Sequence, residues 1–85
     1  MDIPELIRQL LELKFRLKKE NGSMQILVTT NNVIRVWFWM KGGAAITHEM
    51  RLCDWSTQSR HLIDECWETA KQFNLLDEQE TFTLN

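Results

Sequence analysis

Val33-Ile34-Arg35-Val36-Trp37-Phe38-Trp39-Met40 is the stretch of sequence that decides the fold of this chain. Its β-branched and aromatic residues favour a β-strand. Alternate side chains of a strand point to opposite faces. One face therefore carries Ile34, Val36, Phe38 and Met40, and the other carries Arg35, Trp37 and Trp39. Large apolar residues on both faces distinguish this strand from an ordinary half-buried one, which alternates apolar and polar residues.

Turn-forming residues stand on both sides of this strand. Asn31-Asn32 precedes it and Lys41-Gly42-Gly43 follows it, and Asn and Gly are the residues that turns favour. Further strands are predicted beyond these turns, over residues 23–30 and 44–52. Together the three strands form an antiparallel meander.

The chain begins with the signals of a helix start. Asp2 is a favourable N-cap, and Pro4 falls in the first turn, where the N–H that proline lacks has no partner in a helix. Apolar residues follow at three- and four-residue spacing: Ile3, Leu6, Ile7 and Leu10. This spacing predicts an amphipathic helix over residues 4–13.

Two interpretations remain open for residues 14–20. Phe15 and Leu17 alternate with charged residues, which predicts a fourth strand over residues 15–20. Asn21-Gly22 then reads as a type I′ hairpin turn, because both central residues of that turn need a positive φ. This register pairs Leu17 with Ile26 and Phe15 with Val28. The alternative continues the first helix to Lys19 and leaves three strands.

A second helix is predicted over residues 57–73, after Asp54 or Ser56 as its cap. Its apolar positions follow helical spacing: Leu62, Ile63, Cys66, Trp67, Ala70 and Phe73. The tail, residues 77–85, is either a short edge strand or disordered. Residues 1–85 are therefore expected to form a single α+β domain. Its expected architecture is a three- to four-stranded antiparallel meander, with an N-terminal and a C-terminal helix on one face.

The length of the turns determines which face of the central strand the helices cover. Two-residue turns on both sides place Trp37 opposite Ile26 and His48, so that the tryptophans face the helices. One more residue in each turn reverses the assignment. In either case the two helices can cover only one face of the sheet. The other face then keeps an exposed apolar patch, and such patches often mark contact sites. Folding of Phe82 and Leu84 back over this patch is the alternative. We identify Arg35, Trp37 and Trp39 as candidate partner-binding residues, because Trp and Arg are enriched at binding hot spots.

The charges of the chain are divided unevenly. Residues 1–53 carry eight Lys/Arg and five Asp/Glu, whereas residues 54–85 carry two Lys/Arg and seven Asp/Glu. Asp64, Glu65 and Glu68 lie on the second predicted helix, and they are the candidate residues of a second, acidic partner-binding surface. The alternative is an ordinary solvated helix face.

Motifs for catalysis, metals and cofactors are missing from the sequence. His48-Glu49 begins like a zinc-protease helix, but Leu52 stands where the second histidine is needed. The four Cys and His residues follow no zinc-ligand spacing: Cys53, Cys66, His48 and His61. Neither a nucleophile with an oriented base nor a phosphate-binding loop is present. We therefore expect no enzymatic activity, no metal and no cofactor.

The two cysteines and the hydropathy of the chain bear on the cellular compartment in which the protein acts. Two cysteines without a signal peptide indicate a reducing compartment. The longest apolar run is far shorter than the roughly 20 residues of a membrane span. A cytoplasmic protein without membrane contact is expected.

Nucleic-acid binding is the rival hypothesis from another functional class. The predicted order of elements is also that of a double-stranded RNA-binding domain, but the second helix here is acidic where such domains carry lysines. Six basic residues stand near the predicted sheet: Lys14, Arg16, Lys18, Lys19, Arg35 and Arg51. With Trp37 or Trp39 as a stacking platform they suggest a single-stranded nucleic-acid module. A homodimer with two sheets packed back to back is a further alternative.

The N-terminal residues resemble a known class of proteins. Met1-Asp2-Ile3-Pro4-Glu5-Leu6-Ile7-Arg8, followed by Phe15-Arg16-Leu17-Lys18, looks like the start of a small phage-encoded anti-CRISPR protein. The resemblance covers about 20 of the 85 residues and the order of elements. It implies a compact, non-enzymatic inhibitor that occludes a larger effector protein. In such a relative, acidic side chains imitate DNA phosphates; the candidates here are Asp64, Glu65, Glu68, Asp77, Glu78 and Glu80, which match no motif of that relative.

The hypothesis from the sequence is a non-enzymatic protein-binding domain, of the kind that a phage or mobile element uses as an inhibitor. Its partner is expected to be a larger protein, such as a CRISPR effector. Two surfaces are candidates for the contact: the exposed face of the sheet and the acidic helix.

Overall fold

The computed structural model of this protein describes residues 2–77. They form α1 (Ile3–Phe15), β1 (Gly22–Val28), β2 (Val33–Met40), β3 (Ala45–Arg51), a 3₁₀ turn (Leu52–Asp54) and α2 (Trp55–Gln72). The strands make one antiparallel sheet in the order β1-β2-β3. The α+β class is therefore confirmed, with three strands. The prediction of a strand or disorder for the tail lies almost wholly outside the described residues.

Both helices pack on the same face of the sheet, so the described part of the chain has two layers. The core between the layers is built mainly of aliphatic side chains around one aromatic ring: Leu6, Leu10, Leu13, Leu17, Met24, Ile34, Val36, Phe38, Met50, Leu62, Ile63, Cys66, Ala70 and Leu75. Phe38 is the largest fully buried side chain, and it stands at the centre of β2. Deleting such a ring from a core typically costs about 3–5 kcal/mol.

The first helix is longer than the sequence predicted. Asp2 is its N-cap, with a carboxylate oxygen that accepts the backbone N–H of Glu5 at 2.8 Å. The helix continues to Phe15, so the strand predicted over residues 15–20 is wrong. Leu13 and Leu17 continue the spacing of Leu6 and Leu10, and these are the buried residues. The apparent alternation of Phe15 and Leu17 came from a helical pattern, in which Phe15 points to solvent.

Asn21-Gly22 is not the hairpin turn that the sequence suggested. The carbonyl oxygen of Lys18 accepts the N–H groups of both residues, at 3.0 Å and 3.3 Å, which forms a turn that leads into β1. Neither Asn21 nor Gly22 has a positive φ. Leu17 forms an isolated antiparallel bridge with Leu76 rather than a pair with Ile26. The segment after α1 therefore pairs with the segment after α2, and the predicted pairing with β1 is wrong.

The two hairpins each have three-residue turns. The N–H of Thr29 donates to Val33 O at 2.8 Å, and the N–H of Met40 donates to Ala44 O at 2.8 Å. The first turn ends with Asn32 at φ 59°, and the second contains Gly42 and Gly43 at φ 104° and 96°. A three-residue loop that ends in a left-handed residue is a common hairpin connection.

This turn length settles which face of β2 the helices cover. Trp37 lies opposite Gln25 on β1 and Thr47 on β3, so the pairing with Ile26 and His48 that two-residue turns imply is wrong. Because one residue of register exchanges the two faces of a strand, Ile34, Val36 and Phe38 point to the helices. The tryptophans point away from them.

The second helix begins two residues earlier and ends one residue earlier than predicted, and it runs from Trp55 to Gln72. Asp54 occupies its N-cap position, although its side chain makes no capping hydrogen bond. Beyond the helix, Asn74 adopts φ 55°, a left-handed conformation that commonly ends helices. The N–H of Leu75 then donates to Ala70 O at 2.8 Å, and Leu75 is buried in the core.

Candidate protein-binding surface

The face of the sheet that points away from α1 and α2 is the main candidate site, and we call it the open face. It is formed by three cross-strand rows: Ser23, Trp39 and Ala45; Gln25, Trp37 and Thr47; Leu27, Arg35 and Glu49. In the described part of the chain, no helix lies on this face. The sequence predicted that one face stays uncovered, and the three-residue turns decide that it is the tryptophan face.

Trp37 and Trp39 are neighbours at the centre of the open face. Their ring centroids lie 6.4 Å apart with an angle of 57° between the ring planes, which is a favourable tilted arrangement of aromatic rings. Trp39 is 45% exposed, and Trp37 is half-buried. The cross-strand neighbours of both rings are small or polar, and Trp39 is the more exposed of the two.

Arg35 contacts both the Trp37 ring and the carboxylate of Glu49 on the open face. Its guanidinium carbon lies 5.8 Å from the centre of the Trp37 ring, within the range of a cation–π contact. Its Nε donates to Oε2 of Glu49 at 2.9 Å. These contacts hold the guanidinium beside the Trp37 ring, and they place one positive and one negative charge side by side. The open face is therefore amphipathic and close to electrically neutral.

The structure separates the two groups of residues that the sequence proposed for partner binding. Arg35, Trp37 and Trp39 share the open face. Asp64, Glu65 and Glu68 lie on α2, in the layer on the other side of the sheet. A single flat contact cannot cover both groups, so they are two distinct surfaces.

Glu65 also differs from its two acidic neighbours. Asp64 and Glu68 are exposed, whereas Glu65 is half-buried and is engaged by two histidines. Its Oε2 lies 3.0 Å from Nδ1 of His48, and its Oε1 contacts Nε2 of His61. Its carboxylate thus ties α2 to β3, which is a structural contact within the domain.

The His48 imidazole is held on both sides. Its Nε2 lies 2.7 Å from the hydroxyl oxygen of Thr69, in addition to the contact between Nδ1 and Glu65. A carboxylate only accepts hydrogen bonds, so Nδ1 donates to Glu65, and Nε2 lies within hydrogen-bond distance of the Thr69 hydroxyl. The ring also packs edge-on against Phe38. With both nitrogens engaged, His48 is poorly placed to act as a base toward a substrate.

A shallow cleft of about 270 Å³ lies beside this network, between the end of β3 and the start of α2. Its lining is mostly polar: Val33, Glu49, Met50, Arg51, Asp54, Gln58, His61, Leu62 and Glu65. Arg51 Nε donates to Asp54 Oδ2 at 3.3 Å across its mouth. Among residues 2–77, no group of three or more His, Cys, Asp or Glu residues is arranged to hold a metal ion.

The basic residues of the nucleic-acid hypothesis do not surround the tryptophans. Lys14 lies on α1 and Arg16 directly follows it, in the helix layer, where the guanidinium of Arg16 sits 5.8 Å from the centre of the Trp67 ring. Arg35 is on the open face but is paired with Glu49, and Arg51 is paired with Asp54. The open face therefore has no row of unpaired cations that would follow a phosphate backbone.

Sequence reasoning missed the six other residues of the open face: Ser23, Gln25, Leu27, Ala45, Thr47 and Glu49. Leu27 is 39% exposed and extends the apolar area onto the edge strand. A signal for them existed in the sequence, because three-residue turns assign these residues to the same face as Trp37. The turn length itself was not readable from the residues.

Within residues 2–77, no helix is long and apolar enough to cross a membrane. Comparison of the chain with protein-family models, with curated proteins and with solved structures found no match.

Proposed function

We propose that this protein is a non-enzymatic binding domain that contacts a larger protein through the open face. The observation that carries the proposal is the pair of adjacent tryptophans, Trp37 and Trp39, on a sheet face that neither helix covers. Large aromatic rings supply apolar contact area at low entropic cost, and Trp and Arg dominate binding hot spots. The flat and nearly neutral surface suits a protein partner better than a polyanion.

In its finer form, the proposal makes the chain an inhibitor encoded by a phage or mobile element, acting in the cytoplasm on a CRISPR effector. The support for this finer form is the resemblance of residues 1–8 and 15–18 to an anti-CRISPR protein. Inhibition would then be steric, since Glu65 is engaged within the domain and only Asp64 and Glu68 of the three helix acids are exposed. Two exposed carboxylates are too few to imitate a run of DNA phosphates.

The test compares binding by three forms of the protein. Wild type, a Trp37→Ala/Trp39→Ala variant and an Asp64→Lys/Glu68→Lys variant are titrated against purified effector nucleases, and DNA cleavage is measured in parallel. Loss of one hot-spot residue of about 2 kcal/mol weakens binding by a factor of roughly 30, and loss of two such residues weakens it by up to about 1000. We expect this loss only for the tryptophan variant.

Two outcomes contradict the proposal. Equal binding by wild type and the tryptophan variant, with loss in the charge-reversal variant, moves the contact to α2. No binding to any effector removes the finer form of the proposal. Circular dichroism of each variant checks that the fold is intact.

A further inference from the structure

Helix α1 has a second apolar stripe that the core does not use. The buried residues of α1 and its continuation are Leu6, Leu10, Leu13 and Leu17. A different row, at four-residue spacing, is formed by Ile3, Ile7, Leu11 and Phe15, and we call it the α1 stripe. Residues four apart lie above one another on a helix face, so these four side chains form one continuous ridge.

The α1 stripe is largely open to solvent. The exposed fractions are 37% for Ile3, 40% for Leu11 and 86% for Phe15. Ile7 is half-buried. An ordinary solvated helix face carries charged residues here. Glu5, Arg8 and Glu12 lie elsewhere around the helix, whereas Lys14 lies beside the stripe at its C-terminal end.

The stripe points to the β1 side of the molecule. Arg16 reaches the Trp67 ring of α2, so that side of α1 faces the second helix. At 100° per residue, the α1 stripe is on the side of α1 roughly opposite to α2. Because α1 contacts β1 and α2 contacts β3, this side is the one above the outer edge of β1.

Within residues 2–77, the edge of β1 shows none of the features that keep edge strands apart. Its seven residues, Gly22-Ser23-Met24-Gln25-Ile26-Leu27-Val28, include no charged residue and no proline. Natural edge strands are usually protected by charges, prolines or a covering element. Val28 at its end is 51% exposed. The α1 stripe and the edge of β1 together form one side of the domain, which we call the β1 flank.

We infer that the β1 flank is the interface of a homodimer, in which a two-fold axis packs two α1 helices antiparallel. When the two-fold axis lies at the level of Gln9 along the helix, Ile3 lies against Phe15 of the second copy, and Ile7 lies against Leu11 of the second copy. The stripe is therefore complementary to itself, as a two-fold interface requires. The exposed Phe15 gains an apolar neighbour, which no described part of its own chain provides.

The charges at the two ends of α1 fit the same arrangement. Asp2 stands at its beginning, whereas Lys14 and Lys18 stand at and beyond its end; Arg16 faces α2 instead. An antiparallel second copy brings each acidic end beside a basic end, and it also aligns the helix dipoles favourably. A parallel arrangement would oppose like charges.

The flank has a larger flat area than the open face. It extends about 24 Å along a seven-residue strand and roughly 20 Å across the helix and sheet layers. The flat area is about 480 Å², and the accessible area is larger because it follows side-chain relief; standard interfaces bury about 800 Å² per partner. The open face, three strands wide, is smaller, at about 14 Å by 24 Å. A dimer through the flank leaves both open faces free and pointing the same way.

The first measurement is the mass in solution by sedimentation equilibrium. At about 100 µM, where a dimer of micromolar Kd is almost wholly assembled, we expect twice the chain mass of 10.2 kDa. Leu11→Glu/Phe15→Glu should be monomeric, with a Kd at least about 100-fold weaker. Trp39→Glu on the open face is the matched control and should stay dimeric.

The second measurement tests the antiparallel pairing. In a Cys53→Ser background, Ile3→Cys/Phe15→Cys should form a covalent dimer on mild oxidation, whereas Phe15→Cys alone should not. The two positions are about 18 Å apart within one helix, too far for a bond inside one chain. Cys66 is buried and does not interfere.

Three results overturn the inference. The first is a monomeric wild type. If such a protein dimerises only after residues 78–85 are deleted, the inference is also overturned, because the chain's own terminus then takes the place of the second copy. The second is a dimer that Trp39→Glu dissociates and the flank variant does not, which indicates sheet-to-sheet packing. The third is rapid cross-linking of Phe15→Cys alone. Each result leaves the proposed binding function open to its own test.

Discussion

Nδ1 of His48 on β3 lies 3.0 Å from Oε2 of Glu65 on α2. This contact joins the sheet layer to the helix layer at a half-buried position, and Thr69 on α2 holds the other ring nitrogen. Glu65, which the sequence suggested as part of an acidic docking surface, is therefore bound within the domain. The helix acids that remain for an outside partner are Asp64 and Glu68.

Replacing Glu65 should destabilise the protein, whereas replacing Glu68 should not. Glu65→Ala leaves Nδ1 of His48 without its acceptor, and the loss of such a hydrogen bond costs about 1–2 kcal/mol. Glu68 is exposed, so Glu68→Ala should change the free energy of unfolding by less than about 0.5 kcal/mol. Urea unfolding of both variants measures the difference. Equal stabilities would mean that the His48–Glu65 contact contributes nothing.

Gly22 should be intolerant of a side chain, for a reason other than its backbone angles. A Cβ atom built there collides with the backbone oxygen of Trp39 and lies 3.0 Å from Cδ2 of Leu75. A backbone atom of a paired strand cannot move aside cheaply, so Gly22→Ala should cost about 1–3 kcal/mol. Ser23→Ala, at the adjacent exposed position, is the control. Thermal unfolding that is the same for both variants would contradict the predicted collision.

The two cysteines should behave differently toward thiol reagents and toward alkali. Burial, and then the negative charge of Glu65, raise the pKa of the Cys66 thiol from 9.0 to about 12, whereas Cys53 is exposed. Native protein should therefore react with iodoacetamide at Cys53, and at Cys66 only after unfolding. Fast modification of Cys66 in the native protein would contradict its burial.

The same pKa difference predicts a dependence of stability on pH. The folded chain holds the Cys66 proton more tightly than the unfolded chain, so this contribution is present below pH 9 and is lost as the pH rises toward 12. Between pH 8 and pH 10 the free energy of unfolding should fall by roughly 1 kcal/mol from this group. Cys66→Ala provides the baseline, because other groups titrate in the same range. Identical slopes for wild type and Cys66→Ala would contradict the prediction.

Phe38 and Trp39 are adjacent on β2 but should respond very differently to truncation. Phe38→Ala removes the central ring of the core and should cost about 3–5 kcal/mol, enough to unfold a domain of this size. Trp39→Ala trims a half-exposed ring on the open face and should cost less than about 1 kcal/mol. Denaturant midpoints of the two variants test this contrast. A Trp39→Ala variant that unfolds would show that the open face is part of the core.

Single-stranded oligonucleotides should not bind measurably to the open face. Arg35 and Arg51 are paired with carboxylates, and Lys14 and Arg16 lie in the helix layer, away from Trp37 and Trp39. Fluorescence anisotropy at about 50 mM salt is the sensitive condition, because phosphate contacts are strongest at low salt. An affinity that falls steeply with salt and is lost in Trp37→Ala/Trp39→Ala would favour the nucleic-acid hypothesis instead.

Residues 14–20 show where local patterns mislead. Phe15 and Leu17 alternate as in a strand, but Leu17 belongs to the helical row of Leu6, Leu10 and Leu13. Four positions are too few to separate a period of two from a period of 3.6. Burial decides the matter, since Leu17 enters the core while Phe15 is 86% exposed. The Asn21-Gly22 pair was equally ambiguous, because a glycine marks either a positive φ or a close approach.

The residues by themselves determined the element types around the core: the Asp2 cap with its apolar spacing, the β-rich run from Val33 to Met40, and the helical spacing in α2. These signals are local, so they can be recognised without knowing which residues pack against them. Only the tertiary structure decided which face of β2 the helices cover, that Glu65 binds His48, and that the α1 stripe lies on the side of the helix away from α2. These features depend on turn length and on contacts between residues distant in the chain, and one residue of register exchanges the faces of a strand.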